Sequence, residues 1–354
     1  MIVRSEISAF IKMEQPVITK ERIGRQLSQT PFAPYPALKN AHVQTIVASL
    51  LARNTPRLNQ NTESRYFAVA EGIQVLAHCS WQPDRATRPT LLILHGMEGS
   101  TESPYMVGTA EKALGAGFNA IRLNIRNCGG TEHLTPTLYH AGMTDDLPVI
   151  IDELAEKDGL NEIYLVGFSL GGNMVLKLAG EYGGSTPRAL RGLVAVSPSI
   201  HLPSAADAIE LRSNFIYHIR FLMSLRDRMR RKASLFPDRY DISRLRRIRS
   251  IREFDNIYTA PAAGFRDAAD YYERASALPY IKQISIPSLI VHAKDDPFIP
   301  FPPFERREIS ENPNVLLLAP ERGGHVGFFA AGEGEARYWA ELKIIEYIKI
   351  LSNE

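Results

Sequence analysis

Cysteine is scarce. Cys79 and Cys128 are the only two among 354 residues, which excludes a disulfide framework and fits a reducing compartment. Both read as small core residues. Long apolar runs are also missing: the longest candidate, Ile46 to Ala52, is far short of the ~20 residues a membrane span needs. The first fifteen residues, MIVRSEISAFIKMEQ, lack the apolar run and small-residue cleavage site of a signal peptide. Met13 is an alternative start, because residues 1–12 carry no clear pattern. The expectation is a cytoplasmic protein. Neither sign of charge dominates: Lys+Arg is 41 and Asp+Glu 39, a net +2, which gives no overall case for nucleic acid. Gly (24) and Pro (23) are near average, so a collagen-like or linker-type chain is excluded. No Walker A, H-E-x-x-H or C-x-x-C pattern occurs. His133 and His140 have no carboxylates at ligand spacing nearby, so no metal and no cofactor are expected.

What is present is an alternation of strand and helix patterns from about residue 65 onward. Residues 65–69 and 73–81 read as strands, with Ile73, Val75 and Ala77 alternating. Residues 90–94 (TLLIL) are the short apolar run of a strand buried on both faces. A helix over 104–114, a strand over 118–123, a helix over 145–156, a strand over 162–166, a helix over 169–181 and a strand over 193–196 follow. The rhythm breaks at about 201–260. It resumes with a helix over 264–275, a strand over 288–292, a helix over 304–310, a strand over 315–318 and a closing helix over 335–351. Such βα units predict an α/β fold, a mostly parallel sheet with helices on both faces. The length would suit two domains, but one α/β domain with an insertion accounts for it. The expected organisation is an N-terminal extension packing on the core (1–60), a first core part (61–200), a helical lid (201–260) and a second core part (261–354). Gly115-Ala116-Gly117-Phe118-Asn119-Ala120 matches a dinucleotide-binding pattern but runs from helix to strand, so it reads as a turn.

Gly167-Phe168-Ser169-Leu170-Gly171 is the single G-x-S-x-G. It lies between strand EIYLV and a helix, the context of a nucleophile elbow, in which a sharp turn lifts a serine hydroxyl above the sheet. A serine needs a base to take its proton, and in elbow enzymes the acid and base follow it in the chain. His201 and His218 lie in the insertion and His292 in a buried strand. His325, in the loop ERGGHVG between the last strand and last helix, is the candidate base. The acid is sought after strand SLIVH, in Ala293-Lys294-Asp295-Asp296-Pro297. Asp296 is selected because Pro300 follows four residues later; Asp295 is the alternative. The oxyanion donors are expected to be the backbone N–H groups of Leu170, at a helix N-terminus, and Met97, in His95-Gly96-Met97-Glu98-Gly99. His95 reads as a structural partner in that loop.

Between Pro203 and Asp255 there are 13 Lys+Arg and 7 Asp+Glu, a local +6 within a chain of net +2. Leu211, Phe215, Ile219, Leu222 and Leu225 recur at helical spacing, and Arg226, Arg228, Arg230, Arg231 and Lys232 follow. The expectation is an amphipathic lid helix with its apolar stripe over an acyl pocket and its basic face toward solvent or anionic lipid. Without interleaved aromatics the basic cluster does not suit RNA.

Several longer segments carry a resemblance: Pro34–Leu38, Asn40–Ile46, His95–Ser100, Asn124–Gly130, Tyr139–Gly142, Ile251–Asp255, Gly264–Ala268, Tyr271-Tyr272 and Ala293–Phe298. With the elbow, they resemble the YheT-like branch of the α/β-hydrolases, the AB hydrolase 4 family, over nearly the whole chain from about Phe32. The family pattern has Arg-Gly where this chain has Arg126-Asn127. The resemblance implies an α/β-hydrolase fold and a cofactor-free serine esterase using Ser169, Asp296 and His325. It also implies short- to medium-chain acyl esters as substrates, with some relatives acting on lipids or by acyl transfer.

Overall fold

The computed structural model describes residues 19–60 and 62–353. Met13 lies outside them. Eight strands form one sheet in the order β1-β2-β4-β3-β5-β6-β7-β8: β1 Thr62–Ala70, β2 Ile73–Ser80, β3 Thr90–Leu94, β4 Asn119–Leu123, β5 Ile163–Phe168, β6 Leu190–Val196, β7 Ser288–Val291 and β8 Val315–Leu318. β1 and β2 form an antiparallel hairpin, β2 pairs antiparallel with β4, and the other five pairings are parallel.

The apolar run TLLIL is β3, at the middle of the sheet, and its residues serve two cores. Leu92 and Leu94 face one cluster, while Leu91 and Ile93 face the other. That two-sided burial is why the run shows no alternation. On the first side lie α4 (Asp146–Lys157) and α5 (Leu170–Tyr182), through Leu147, Ile151, Met174 and Leu178. On the second lie α3 (Pro104–Gly115) and the closing helix Trp339–Ser352, through Met106, Ala110, Ile344 and Ile348. Between α3 and β4, Gly117 sits at φ +85°, the turn expected of the G-x-G segment.

Two helices precede the sheet. α1 (Lys20–Leu27) buries Ile23 and Leu27 in the second core. α2 (Ala41–Leu50) is capped by the Asn40 side chain, which accepts from the His42 and Val43 N–H groups.

Residues 201–260 hold α6 (Leu202–Ile209), α7 (Phe215–Leu235) and a helix Ile251–Phe254 that widens into a π turn at Asp255–Thr259. Here the structure departs from the sequence pattern. Leu222 and Leu225 are buried on α7, but Leu211 precedes the helix and Phe215 opens it, both more than half exposed. The buried face is Tyr217, Leu222, Leu225, Arg228, Met229, Lys232 and Ala233. Arg228 and Lys232 therefore do not belong to a solvent-facing basic stripe. Lys232 Nζ donates to the Glu132 carbonyl at 3.1 Å and to that of Thr135, while Arg231 pairs with Glu132. The expected helix 264–275 begins only at Ala268, because the Asp267 side chain caps it by accepting the Asp270 N–H. The expected helix 304–310 is split into a 3-10 turn over Pro302–Glu305 and a short helix Arg307–Ser310. The Pro302-Pro303 pair supplies no N–H donors at its start. No helix among the described residues is long and apolar enough to cross a membrane.

Candidate active site

The turn from β5 into α5 holds Ser169 at φ +52° and ψ −113°, a conformation that costs a non-glycine residue energy and persists only where its surroundings enforce it. Two flanking positions show the enforcement. A Cβ on Gly167 would lie 2.3 Å from the Gly171 carbonyl oxygen, and one on Gly171 would lie 2.6 Å from the His95 carbonyl oxygen. Only glycine fits at either place. The Ser169 N–H is held by the Val196 carbonyl at 2.9 Å.

The Ser169 hydroxyl lies 2.9 Å from His325 Nε2, and His325 Nδ1 lies 2.7 Å from Asp296 Oδ2. Three residues far apart in sequence thus form one hydrogen-bonded chain, at the distances nucleophile activation requires. Asp296 is buried, and its other oxygen accepts from the N–H groups of Phe298 (3.1 Å) and Ile299 (2.9 Å). Burial alone would raise its carboxyl, but the His325 imidazole and those donors hold it below its ordinary range. Asp295 faces elsewhere. Its Oδ1 accepts from the Gly324 N–H at 2.9 Å, which ties the two loops together, and burial pushes its carboxyl up. Of the two aspartates, Asp296 is the one that meets the imidazole.

The His325 loop is braced from a part of the chain that the motif reading did not connect with the site. The His325 N–H donates to Thr45 Oγ1 at 2.9 Å. Gln44, fully buried, accepts the Phe329 N–H at 2.7 Å and donates to the Phe329 carbonyl at 3.1 Å. α2 therefore fixes the loop that carries the imidazole. The Asn40–Ile46 segment was visible in the sequence as part of the resemblance, but its task was not. Val326 follows His325 at φ +54°, a strained position for a β-branched residue, and its N–H donates to Ser197 Oγ at 3.1 Å. The His325 ring packs on Phe298, with ring centroids 4.1 Å apart.

Met97 and Leu170 both line the cavity that contains Ser169. Leu170 is the first residue of α5 and its N–H has no acceptor among the described residues, nor has the Met97 N–H. Two unspent donors thus border the serine. The surrounding loop is fixed: the Gly96 N–H donates to the Tyr105 hydroxyl at 3.0 Å, and His95 bridges its own strand end to the next loop. His95 Nδ1 donates to the Gly96 carbonyl at 2.7 Å and Nε2 accepts the Ile125 N–H at 3.1 Å. That pattern requires the neutral ring, and burial lowers its pKa to about 4. In the same loop region Asn127 takes φ +64°, with its side chain donating to the Thr137 carbonyl at 2.9 Å. Asparagine tolerates the left-handed region, so the turn survives without the family's glycine.

Two of the other histidines following the elbow do other things. His201 caps α6 by accepting the Ser204 N–H. His292 is buried against Phe304, with ring centroids 3.8 Å apart, and its Nδ1 lies 4.0 Å from Asp296 Oδ2. Burial first of all holds it neutral, with a pKa of about 4. The cavity is small, about 100 Å³, and mostly apolar: Leu202, Ile209, Phe221, Ile251, Phe298 and Ile299 are among its walls. Four of these six come from the 201–260 segment. Asp255 also lines it, its Oδ2 accepting from the Tyr272 hydroxyl at 2.7 Å; burial pushes this carboxyl up to about 6.

The family model for the α/β hydrolase fold matches residues 89–331. The chain is 32% identical to the Escherichia coli (strain K12) protein named "Putative esterase YheT", across 91% of this chain and 94% of that one. It is 31% identical to the monoacylglycerol lipase of Saccharomyces cerevisiae, across 75% of this chain and 60% of the relative. Among solved structures it resembles an esterase of Pyrococcus furiosus, with a TM-score of 0.55 at 16% identity, covering 85% of this chain and 98% of that one.

Proposed function

The chain belongs to the α/β-hydrolase family and is a carboxylic ester hydrolase, and from that premise we propose that it cleaves short- to medium-chain acyl esters through an acyl-enzyme on Ser169. In this reading His325 Nε2 takes the Ser169 proton as Oγ attacks the acyl carbonyl. Asp296 holds the imidazole tautomer and stabilises the imidazolium. The Met97 and Leu170 N–H groups receive the oxyanion. The protonated His325 then donates its proton to the leaving alcohol. Next it deprotonates a water, which attacks the acyl carbon and frees Ser169. The observation that carries the reading is the continuous chain from Ser169 Oγ through His325 to Asp296, at 2.9 and 2.7 Å. The small apolar cavity supports the acyl-length part of it, and the helices of 201–260 that wall it act as a lid.

A p-nitrophenyl ester panel from acetate to palmitate tests this. Wild type turns over the shorter esters best and is labelled at Ser169 by a fluorophosphonate, and Ser169→Ala does neither. Equal rates for wild type and Ser169→Ala would remove the reading. Replacing water by an alcohol in the second step gives acyl transfer, read as ester exchange when glycerol or ethanol is added.

Contact with anionic lipid would rest only in part on the residues the sequence suggested, since Arg230 and Arg231 are exposed on α7. Arg244, Arg246, Arg247 and Arg249 are exposed after α7, whereas Arg228 and Lys232 are not. Co-sedimentation with phosphatidylserine vesicles that falls with added salt supports this contact; salt-independent or absent binding removes it.

A further inference from the structure

Glu98 directly follows Met97 and is held at φ +55°, so something must pay for and maintain its backbone. The groups that hold it come largely from another part of the chain. Its carboxylate is almost wholly buried. Oε1 accepts from the Tyr139 hydroxyl at 2.9 Å and from Arg228 Nη1, and Oε2 accepts from the Ser224 hydroxyl at 2.8 Å. The Glu98 N–H in turn donates to the Tyr139 hydroxyl at 3.3 Å. Ser224 and Arg228 lie one turn apart on α7. The Arg228 guanidinium is only 3% exposed and lies 4.4 Å above the Tyr139 ring. One helix of the 201–260 segment thus grips the side chain next to the Met97 N–H.

Stability alone is a poor explanation of this arrangement. A buried ion pair gains little over a well-packed apolar pair, because both charges must be stripped of water. Its placement has a chemical consequence instead. An uncompensated carboxylate one residue from Met97 would oppose negative charge developing on the substrate oxygen, in a site where such interactions are weakly screened. A guanidinium bound to that carboxylate removes the opposition and fixes the loop.

We propose that Arg228 is a positioning residue for catalysis: through Glu98 it aims the Met97 N–H at the oxyanion and neutralises the charge beside it, so that α7 is part of the oxyanion site. The proposal rests on the reading of Met97 as an oxyanion donor. It also couples substrate to site. Phe221, on the same helix, walls the cavity with Met97 and Ser169, so an acyl chain that displaces α7 also displaces the donor.

The test is a double-variant cycle in the whole protein, with Arg228→Met, Arg228→Lys, Glu98→Gln and Arg228→Met/Glu98→Gln. The readouts are kcat, KM, the rate of fluorophosphonate labelling at Ser169, and Tm, with kinetics run well below each variant's Tm. Arg228→Met lowers kcat and labelling together by about 10- to 100-fold, a fraction of what losing an oxyanion donor costs, while KM changes less than about threefold. Adding Glu98→Gln restores most of that loss, because no unpaired carboxylate remains. Arg228→Lys, which keeps the charge but not the fork, falls between. A fall in Tm with kcat of the folded protein unchanged, or a double variant no better than Arg228→Met, overturns the proposal. Failure of the esterase reading is separate: it shows in wild type, as absent turnover and absent Ser169 labelling.

Discussion

The sheet and the helical layer over it bury their side chains by different rules. β3, β5 and β7 are buried along their whole length and are almost entirely apolar. α7 buries Arg228 and Lys232 on the same face as Leu222, Leu225 and Met229. In those three strands, burial follows from what each residue is. In the upper layer it follows from what each residue meets, since Arg228 is buried because Glu98 and Tyr139 await it, and Lys232 because the Glu132 and Thr135 carbonyls do. The lesson is that a run of basic residues can be a set of internal ties rather than a surface.

The comparison can be pressed hardest at the carboxyl ends of the strands, where the triad-like chain sits. Replacing His325 with Ala should lower kcat by about 10⁴-fold or more with little change in Tm, measured by steady-state ester hydrolysis and thermal melts. Asp296→Asn should cost about 10³- to 10⁴-fold, whereas Asp295→Asn should cost less than about tenfold. Similar losses for the two aspartates would contradict the hydrogen-bond assignment made above. Gly171→Ala should destabilise the fold by roughly 2–3 kcal/mol, since its Cβ would sit 2.6 Å from a backbone oxygen that β3's end cannot move; denaturant unfolding measures this.

Acidification should weaken the protein through buried imidazoles rather than surface pairs. His95, His140 and His292 are held at about 4, chiefly by burial, against an ordinary value of 6.5. The unfolded chain therefore takes up protons between pH 6.5 and 4 that the folded chain refuses, and stability falls as pH falls through that window. Asp255, pushed up to about 6 from 3.8, acts in the opposite direction between those two values, as does the raised Asp295 carboxyl, but the three imidazoles outweigh these two groups. Tm should drop by several degrees or more between pH 7 and pH 5; a flat profile would contradict it. The smallest effects should separate the two kinds of basic residue on α7. Lys232→Met should cost about 1–3 kcal/mol, because it leaves buried carbonyls without a donor. Arg230→Ala, which removes an exposed pair with Asp227, should stay within about 0.5 kcal/mol.

Much of the fold was legible because it depends on local signals. TLLIL and EIYLV became central parallel strands since runs of that length and composition suit a doubly covered sheet. The elbow was legible because Gly167 and Gly171 are the only residues the turn admits, and His325 and the Asp295-Asp296 pair because they lie in loops at strand ends. The register of α7 was not. Its apolar spacing began with Leu211 and Phe215, which are exposed, and its true inner face includes two cations that no periodicity scale would place inside. The brace from Thr45 and Gln44 to the His325 loop was equally hidden, since it joins residues 280 or more positions apart.

By itself, then, the sequence determined the order of strands and helices, the strained serine turn and the residue types able to serve it. Those depend on backbone sterics and on apolar burial, which act over a few residues at a time. Only the tertiary structure decided which aspartate meets His325, which segment braces its loop and which arginine faces Glu98. Those are matters of partnership, and a buried polar group has no place in the fold until its partner arrives from elsewhere in the chain.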